Sequence, residues 1–166
     1  MTGNVQKRLV VYLDASFVRH WVGQDLDNPR EAAWYEASVA CWRRMEGKVL
    51  PVVSYHVWTE IGRGKNAGEA EARKKAIAGL PSWAYTDEAI ALAGQLLDAG
   101  AVRAKKKDDA LHIALAAVGG ADALLSWNFK DIVNEGKLPL IQSMVEQAGY
   151  RCPLLVSPDN LPEDWP

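Results

Sequence analysis

Five side chains able to offer oxygen to a cation stand where apolar stretches of the chain give way to polar ones. Asp14 ends the run Leu9-Val-Val-Tyr-Leu13, and Asp109 follows a basic loop. Asn128 and Asp131 follow Ala123-Leu-Leu-Ser-Trp127. Glu60 lies about two turns into the segment after Val49-Leu-Pro-Val-Val53. Carboxylates gathered at about 4 Å repel by roughly 4 kcal/mol per pair at an effective dielectric of about 20, so a cluster needs protonation or a divalent cation. Mg²⁺ suits such a site, because it takes oxygen ligands and keeps several waters. An ion held this way can activate water and stabilise charge on a phosphoryl group during in-line displacement, which is nuclease chemistry.

Each residue also has a plainer reading. Asp14 can be a strand-end turn residue, but Ser16 two positions on offers a hydroxyl to orient its carboxylate. Glu60 can pair with Arg63, one turn away. Asp108 and Asp109 point about 100° apart on a helix, so only one faces a given ion. Asp109 shares a face with His112 and Ile113, and Asp108 reads as a first-turn carboxylate favoured by the helix dipole. His112 reads as a hydrogen-bonded structural histidine, since Mg²⁺ does not favour imidazole. His20 and His56 have no partner at metal-ligand spacing. Arg103, Lys105, Lys106 and Lys107 run into Asp109 and are either a solvated loop or phosphate contacts. Lys130 and Arg63 are weaker versions of the same idea. Trp21 and Trp127 lie near strand ends, where an indole can stack on a base.

The elements that must position these groups alternate in type. Apolar β-rich runs at 9–13, 49–53, 123–127 and 154–156, with a short one at 83–85, read as strands. Pro51 suggests that ladder pairing in the second begins only after it. Helical spacing is expected over 30–46, 55–63, 69–80, 87–99, 108–118 and 138–147, with a further short helix starting over 129–133. Ser54 and Thr86 suit N-caps, and Gly47 and Gly100 suit helix ends. Strands alternating with helices predict a central, mostly parallel sheet covered on both faces. In such sheets ligands bind outside the carboxyl ends of the strands, which is where the acidic positions fall.

Composition bounds the rest. A chain of 166 residues, 49% apolar, with seven tryptophans, fits one globular domain with a full core, set at about 8–157 between short tails, the second Pro-rich. With 19 Lys+Arg against 21 Asp+Glu, the formal charge of −2 excludes a uniformly basic nucleic-acid platform but allows a local patch. Cys41 and Cys152 have neither zinc-site spacing nor the density of a disulfide scaffold. The N-terminus resembles no signal peptide, and no apolar run approaches the roughly 18–20 residues that span a bilayer. A cytoplasmic protein is expected.

The segments Val11-Tyr-Leu-Asp14-Ala-Ser16, Val53-Ser54 with Thr59-Glu60, Asp109-Ala-Leu-His-Ile-Ala114 and Leu124-Leu-Ser-Trp-Asn128-Phe-Lys-Asp131 resemble the four successive acidic motifs of PIN-domain ribonucleases, in the style of the VapC-like toxin branch of type II toxin–antitoxin systems. The resemblance runs from about Leu9 to Val133, and the tail around Gly149-Tyr150 and Ser157-Pro158 is similar to members of that branch. It implies a three-layer α/β/α PIN-like fold and an Mg²⁺- or Mn²⁺-dependent endoribonuclease acting on RNA. It further implies a homodimer and a cognate antitoxin. Asp14, Glu60 and Asp109 match the three principal acidic positions. The fourth is divided between Asn128, at the motif position, and Asp131, three residues on.

Two other functions are open to the sequence. Asn128 in place of an acid suits a PIN-like module that binds RNA or protein with weak or no catalysis. A phosphotransfer enzyme with Asp14 as nucleophile, in the manner of haloacid-dehalogenase-like proteins, would want a second Asp where Ser16 stands.

Overall fold

The computed structural model describes residues 7–64 and 66–165; the first six residues, part of the N-terminus read above, lie outside them. Among the described residues five strands alternate with seven helices. The strands are β1 (Val10–Leu13), β2 (Leu50–Ser54), β3 (Ser82–Trp83), β4 (Ala123–Leu125) and β5 (Leu154–Val156). The helices are α1 (Ala15–Val22), α2 (Pro29–Met45), α3 (Tyr55–Ile61), α4 (Ala67–Ile77), α5 (Asp87–Asp98), α6 (Lys107–Val118) and α7 (Leu138–Gln147). A single 3-10 turn, Pro158–Asn160, follows β5.

All five strands pair in parallel, in the order β3-β2-β1-β4-β5. The chain moves from β1 outward to β2 and β3, then returns to add β4 on the other side of β1. That reversal opens a crevice between the carboxyl ends of β1 and β4, where ligands bind in open parallel sheets. Val11, Tyr12, Leu13, Val52, Val53, Leu124 and Leu125 are fully buried, as strands covered on both faces must be. Helix α1 packs on α2 and α4, and α5 packs on α6 and α7, completing a three-layer α/β/α arrangement.

Local chemistry explains the boundaries. Asn28 caps α2 by accepting from the Arg30 and Glu31 amides, with Pro29 in the first turn. Ser54 caps α3 and Thr86 caps α5, as their types suggest. Gly119 is fixed by crowding: a Cβ there would run into the ring of Trp83.

The architecture departs from the expectations in three places. The segment after Asp14 forms α1, for which the sequence reading had no helix; Asp14 itself is its N-cap, accepting from the Phe17 amide at 2.8 Å. Pairing of β2 begins at Leu50, whose amide donates to Leu9, and Pro51 stands opposite Val11. Proline is tolerated because its nitrogen faces the β3 side, where pairing starts only at Val53 opposite Ser82. Residues 129–133 form a turn instead of a helix. Asn128 Oδ1 accepts from the Lys130 and Asp131 amides at 3.1 and 3.0 Å, and this side-chain bonding competes with helix formation.

Candidate functional site

The ends of β1 and β4 are tied together by two serine hydroxyls. Ser16 donates to Asp14 Oδ1 at 2.7 Å and accepts from the Trp127 amide at 2.9 Å. Ser126 donates to Asp14 Oδ2 at 2.6 Å and accepts from the Asn128 amide at 3.0 Å. Asp14 is thus oriented at both oxygens while only 3% exposed. Ser126 went unnoticed in the sequence, since a serine in an apolar strand end carries no signal until its neighbour across the sheet is known.

Above this floor opens a cleft of about 280 Å³ lined by Glu60, Asp108, Asp109 and Asn128, with Arg19, Arg63, Lys105 and Lys106 on its rim. Five expected residues, Glu60, Lys105, Lys106, Asp109 and Asn128, therefore meet in this lining. Asp109 carries the uncompensated charge: burial, with Asp131, Asp14 and Glu60 nearby, pushes its carboxyl up to about 6 against the partial relief of His112. Asp131 is held differently. Arg103 grips it with Nε at 2.8 Å and Nη2 at 2.7 Å, which keeps its carboxyl below the usual range. Arg103 thus neutralises a carboxylate, while the exposed Lys107 and Lys130 lie outside the cleft lining.

Glu60 has neighbours that its spacing did not reveal. His56 Nε2 lies 3.4 Å from Glu60 Oε1, and His112 Nε2 lies 3.2 Å from Glu60 Oε2. Burial alone would raise the Glu60 carboxyl, but the two imidazoles hold it well below the usual carboxylate range. Arg63, expected beside Glu60, instead bonds Asp108 at 3.0 Å, and Asp108 also bonds His56 at 2.8 Å. His112 is 1% exposed, and its Nδ1 meets the Tyr12 hydroxyl at 2.8 Å.

The tryptophans at strand ends are occupied. Trp127 is buried, stacks on Trp34 at 4.7 Å and donates to Ser38 at 2.8 Å. Trp21 packs on Trp42 with ring centroids 4.2 Å apart. The aromatic ring left exposed near Asn128 is Phe129.

An oxygen-rich donor set around an unneutralised, half-buried Asp109 fits a hard divalent cation such as Mg²⁺ or Mn²⁺, which would offset the burial and the neighbouring carboxylates that together raise its carboxyl. The sheet order and the crevice at its switch point define a PIN-like three-layer α/β/α fold. A chain in the crystal structure of VapBC2 from Rickettsia felis bound to a DNA fragment from their promoter has a similar fold. The TM-score is 0.54 at 12% identity, over 74% of this chain and 90% of that one. No protein-family model matches the sequence, and no curated protein does.

Proposed function

We propose that the protein is a PIN-type endoribonuclease dependent on Mg²⁺ or Mn²⁺, acting in the cytoplasm as the toxin of a toxin–antitoxin pair. The observation that carries this reading is the cleft in which Glu60, Asp109 and Asn128 meet Arg19, Arg63, Lys105 and Lys106, with Asp14 held by Ser126 close enough to raise the Asp109 carboxyl. Asp14 and Asp109 present oxygens to hold the ion, with Glu60 at the edge of the set, and Asn128, whose Oδ1 accepts from the Lys130 and Asp131 amides, stands beside them to meet a metal-bound water through its amide. When bound, the ion supplies Lewis acidity toward a phosphoryl group undergoing in-line displacement. Ser16 and Ser126 keep the Asp14 carboxylate from rotating. Lys105 and Lys106 receive the phosphates that flank the scissile bond, and Arg103 holds Asp131 so that the turn carrying Asn128 keeps its shape. The similarity to VapBC2 supports an antitoxin partner, and a homodimer follows from the same family reading. No helix among the described residues is long and apolar enough to cross a membrane.

The test is cleavage of single-stranded RNA by purified protein with Mg²⁺, with Mn²⁺ and with chelator. Metal-dependent cleavage that falls at least about 100-fold in Asp14→Asn and Asp109→Asn supports the reading. Cleavage unchanged in both variants, or none with either metal, overturns it. A second reading, an RNA-binding or protein-binding module with little catalysis, is favoured by the Arg103 grip on Asp131, which leaves the fourth position to Asn128, without an acid's charge and with its Oδ1 taken by two amides. RNA binding retained with no Mn²⁺ uptake in calorimetry would select it.

A further inference from the structure

The donor groups of the cleft fall into two chemical sets. Asp14, Asp109 and Asn128 offer only oxygen. His56, Glu60 and His112 offer two imidazole nitrogens and a carboxylate, and their ligand atoms all lie within 4.8 Å of one another. A tetrahedral zinc ion with bonds of about 2.0–2.1 Å places its ligands roughly 3.3–3.4 Å apart. The pairs His56 Nε2–Glu60 Oε1 and His112 Nε2–Glu60 Oε2 stand at 3.4 and 3.2 Å, one imidazole at each carboxylate oxygen, so an ion between the rings would draw the carboxylate in through one oxygen or chelate both.

Two further observations point the same way. His112 Nε2 is fully buried yet makes no aligned hydrogen bond, although the Glu60 carboxylate is beside it. A nitrogen so enclosed is costly unless something takes up its lone pair or its proton. Both rings are also fixed from behind. Tyr85 Oη meets His56 Nδ1 at 2.7 Å, and Tyr12 Oη meets His112 Nδ1 at 2.8 Å. The Tyr12 hydroxyl continues to Ser54 Oγ at 2.7 Å. The phenol contacts at both Nδ1 atoms, with Tyr12 linked onward to Ser54, are the outer-shell support that metal-binding histidines use; they leave His112 Nε2 unpaired, whereas His56 Nε2 meets Asp108 Oδ1 at 2.8 Å and would exchange that contact for the ion.

We propose that His56, Glu60 and His112 form a site for a borderline transition ion of the Zn²⁺ type, with Asp108 at its open side. Imidazole nitrogen selects Zn²⁺, Co²⁺ or Ni²⁺ over Mg²⁺, so this site and the oxygen set discriminate between ions. It shares Glu60 with the proposed nuclease centre but requires no RNA cleavage.

Titrating the intact protein with Co²⁺ in excess Mg²⁺ tests it. The expected result is one equivalent with a ligand-field visible spectrum, displaced by Zn²⁺. Affinity falls at least about 10-fold in His56→Gln and in His112→Gln and persists in Asp109→Asn. X-ray absorption of wild-type protein carrying one equivalent of Zn²⁺ should show two imidazoles, a readout that needs no substitution. No Co²⁺ spectrum, zinc scattering without imidazole, or affinity lost in Asp109→Asn but kept in both folded histidine variants overturns the proposal. RNA cleavage and zinc binding are read separately, so either can fail while the other stands.

Discussion

Arg103 and Asp131 form a two-pronged ion pair in which the acid is buried, its side chain 2% exposed, and the base lies half in solvent, 54% exposed. The pair joins the loop before α6 to the turn after β4, and it removes Asp131 from the pool of free carboxylates.

Its pH behaviour follows from that geometry. The Arg103 hydrogen bonds keep the folded-state Asp131 carboxyl below its ordinary value of 3.8, so the pair contributes stability above that value and loses it as pH falls through the depressed folded one. In Arg103→Gln, carbon NMR should show the Asp131 carboxyl titrating higher than in wild type. The acid limb of the melting temperature should begin at higher pH. An unmoved titration would mean that other groups hold Asp131.

Asp109 carries the opposite sign. Its carboxyl rises from 3.8 to about 6 on folding, so the metal-free protein loses stability as pH rises across that interval. Asp109→Asn should therefore stabilise the chelator-treated protein by on the order of 2–3 kcal/mol above about pH 6, the worth of a shift of about two units. The gain should vanish below the unfolded value of 3.8. Urea unfolding at two pH values measures it, and an equal gain at both would contradict the burial and repulsion that raise this carboxyl.

Ser126 should matter for ion affinity more than for folding. Removing its hydroxyl leaves Asp14 Oδ2 without the donor that fixes it at 2.6 Å. Ser126→Ala is expected to weaken Mn²⁺ binding about 10- to 100-fold, the usual cost of an outer-shell contact. Calorimetry with Mn²⁺ gives the number, and Ser143→Ala, a half-buried serine of α7 outside the cleft lining, serves as the unaffected control.

The rim cations should appear in the salt dependence of RNA binding. If Lys105 and Lys106 each meet a phosphate, the double alanine variant lowers the slope of log affinity against log salt by roughly 0.7 per contact. Lys107→Ala and Lys130→Ala, outside the cleft lining, should leave the slope nearly unchanged.

Gly119 predicts a packing effect remote from the chemistry. A methyl group there must displace Trp83, so Gly119→Ala should cost about 1–3 kcal/mol, the range for overpacked interiors. A change in tryptophan emission should accompany it. Unchanged emission and stability would mean that the helix end yields instead.

Much of the frame was legible because its signals are local. The runs ending at Leu13 and Trp127 announce buried strands, the second ending two residues earlier in the fold, and an acid or amide just beyond each lands on the ligand-binding edge of the sheet. Helix α7 was readable residue for residue from its apolar spacing. Helix α1 escaped because its start signal is Asp14, a residue that also reads as a ligand or a turn. The companions of Glu60 escaped for a different reason. His56 shares its helix, but His112 arrives from α6, and only the packing of α3 on α6 brings them together. Arg103 reads as a phosphate contact in isolation, and nothing near it in sequence announces Asp131.

The order β3-β2-β1-β4-β5 also sets a schedule. Asp14 leaves the ribosome early and is locked by Ser126, which lies 112 positions later, so the floor of the cleft closes through one of the longest-range pairings in the chain. A nascent chain that stops short of Ser126 already carries Asp14, Glu60 and Asp109 yet lacks the hydroxyl that orients the first of them. The arrangement of the cleft floor is therefore a property of the nearly complete chain and not of its first two thirds.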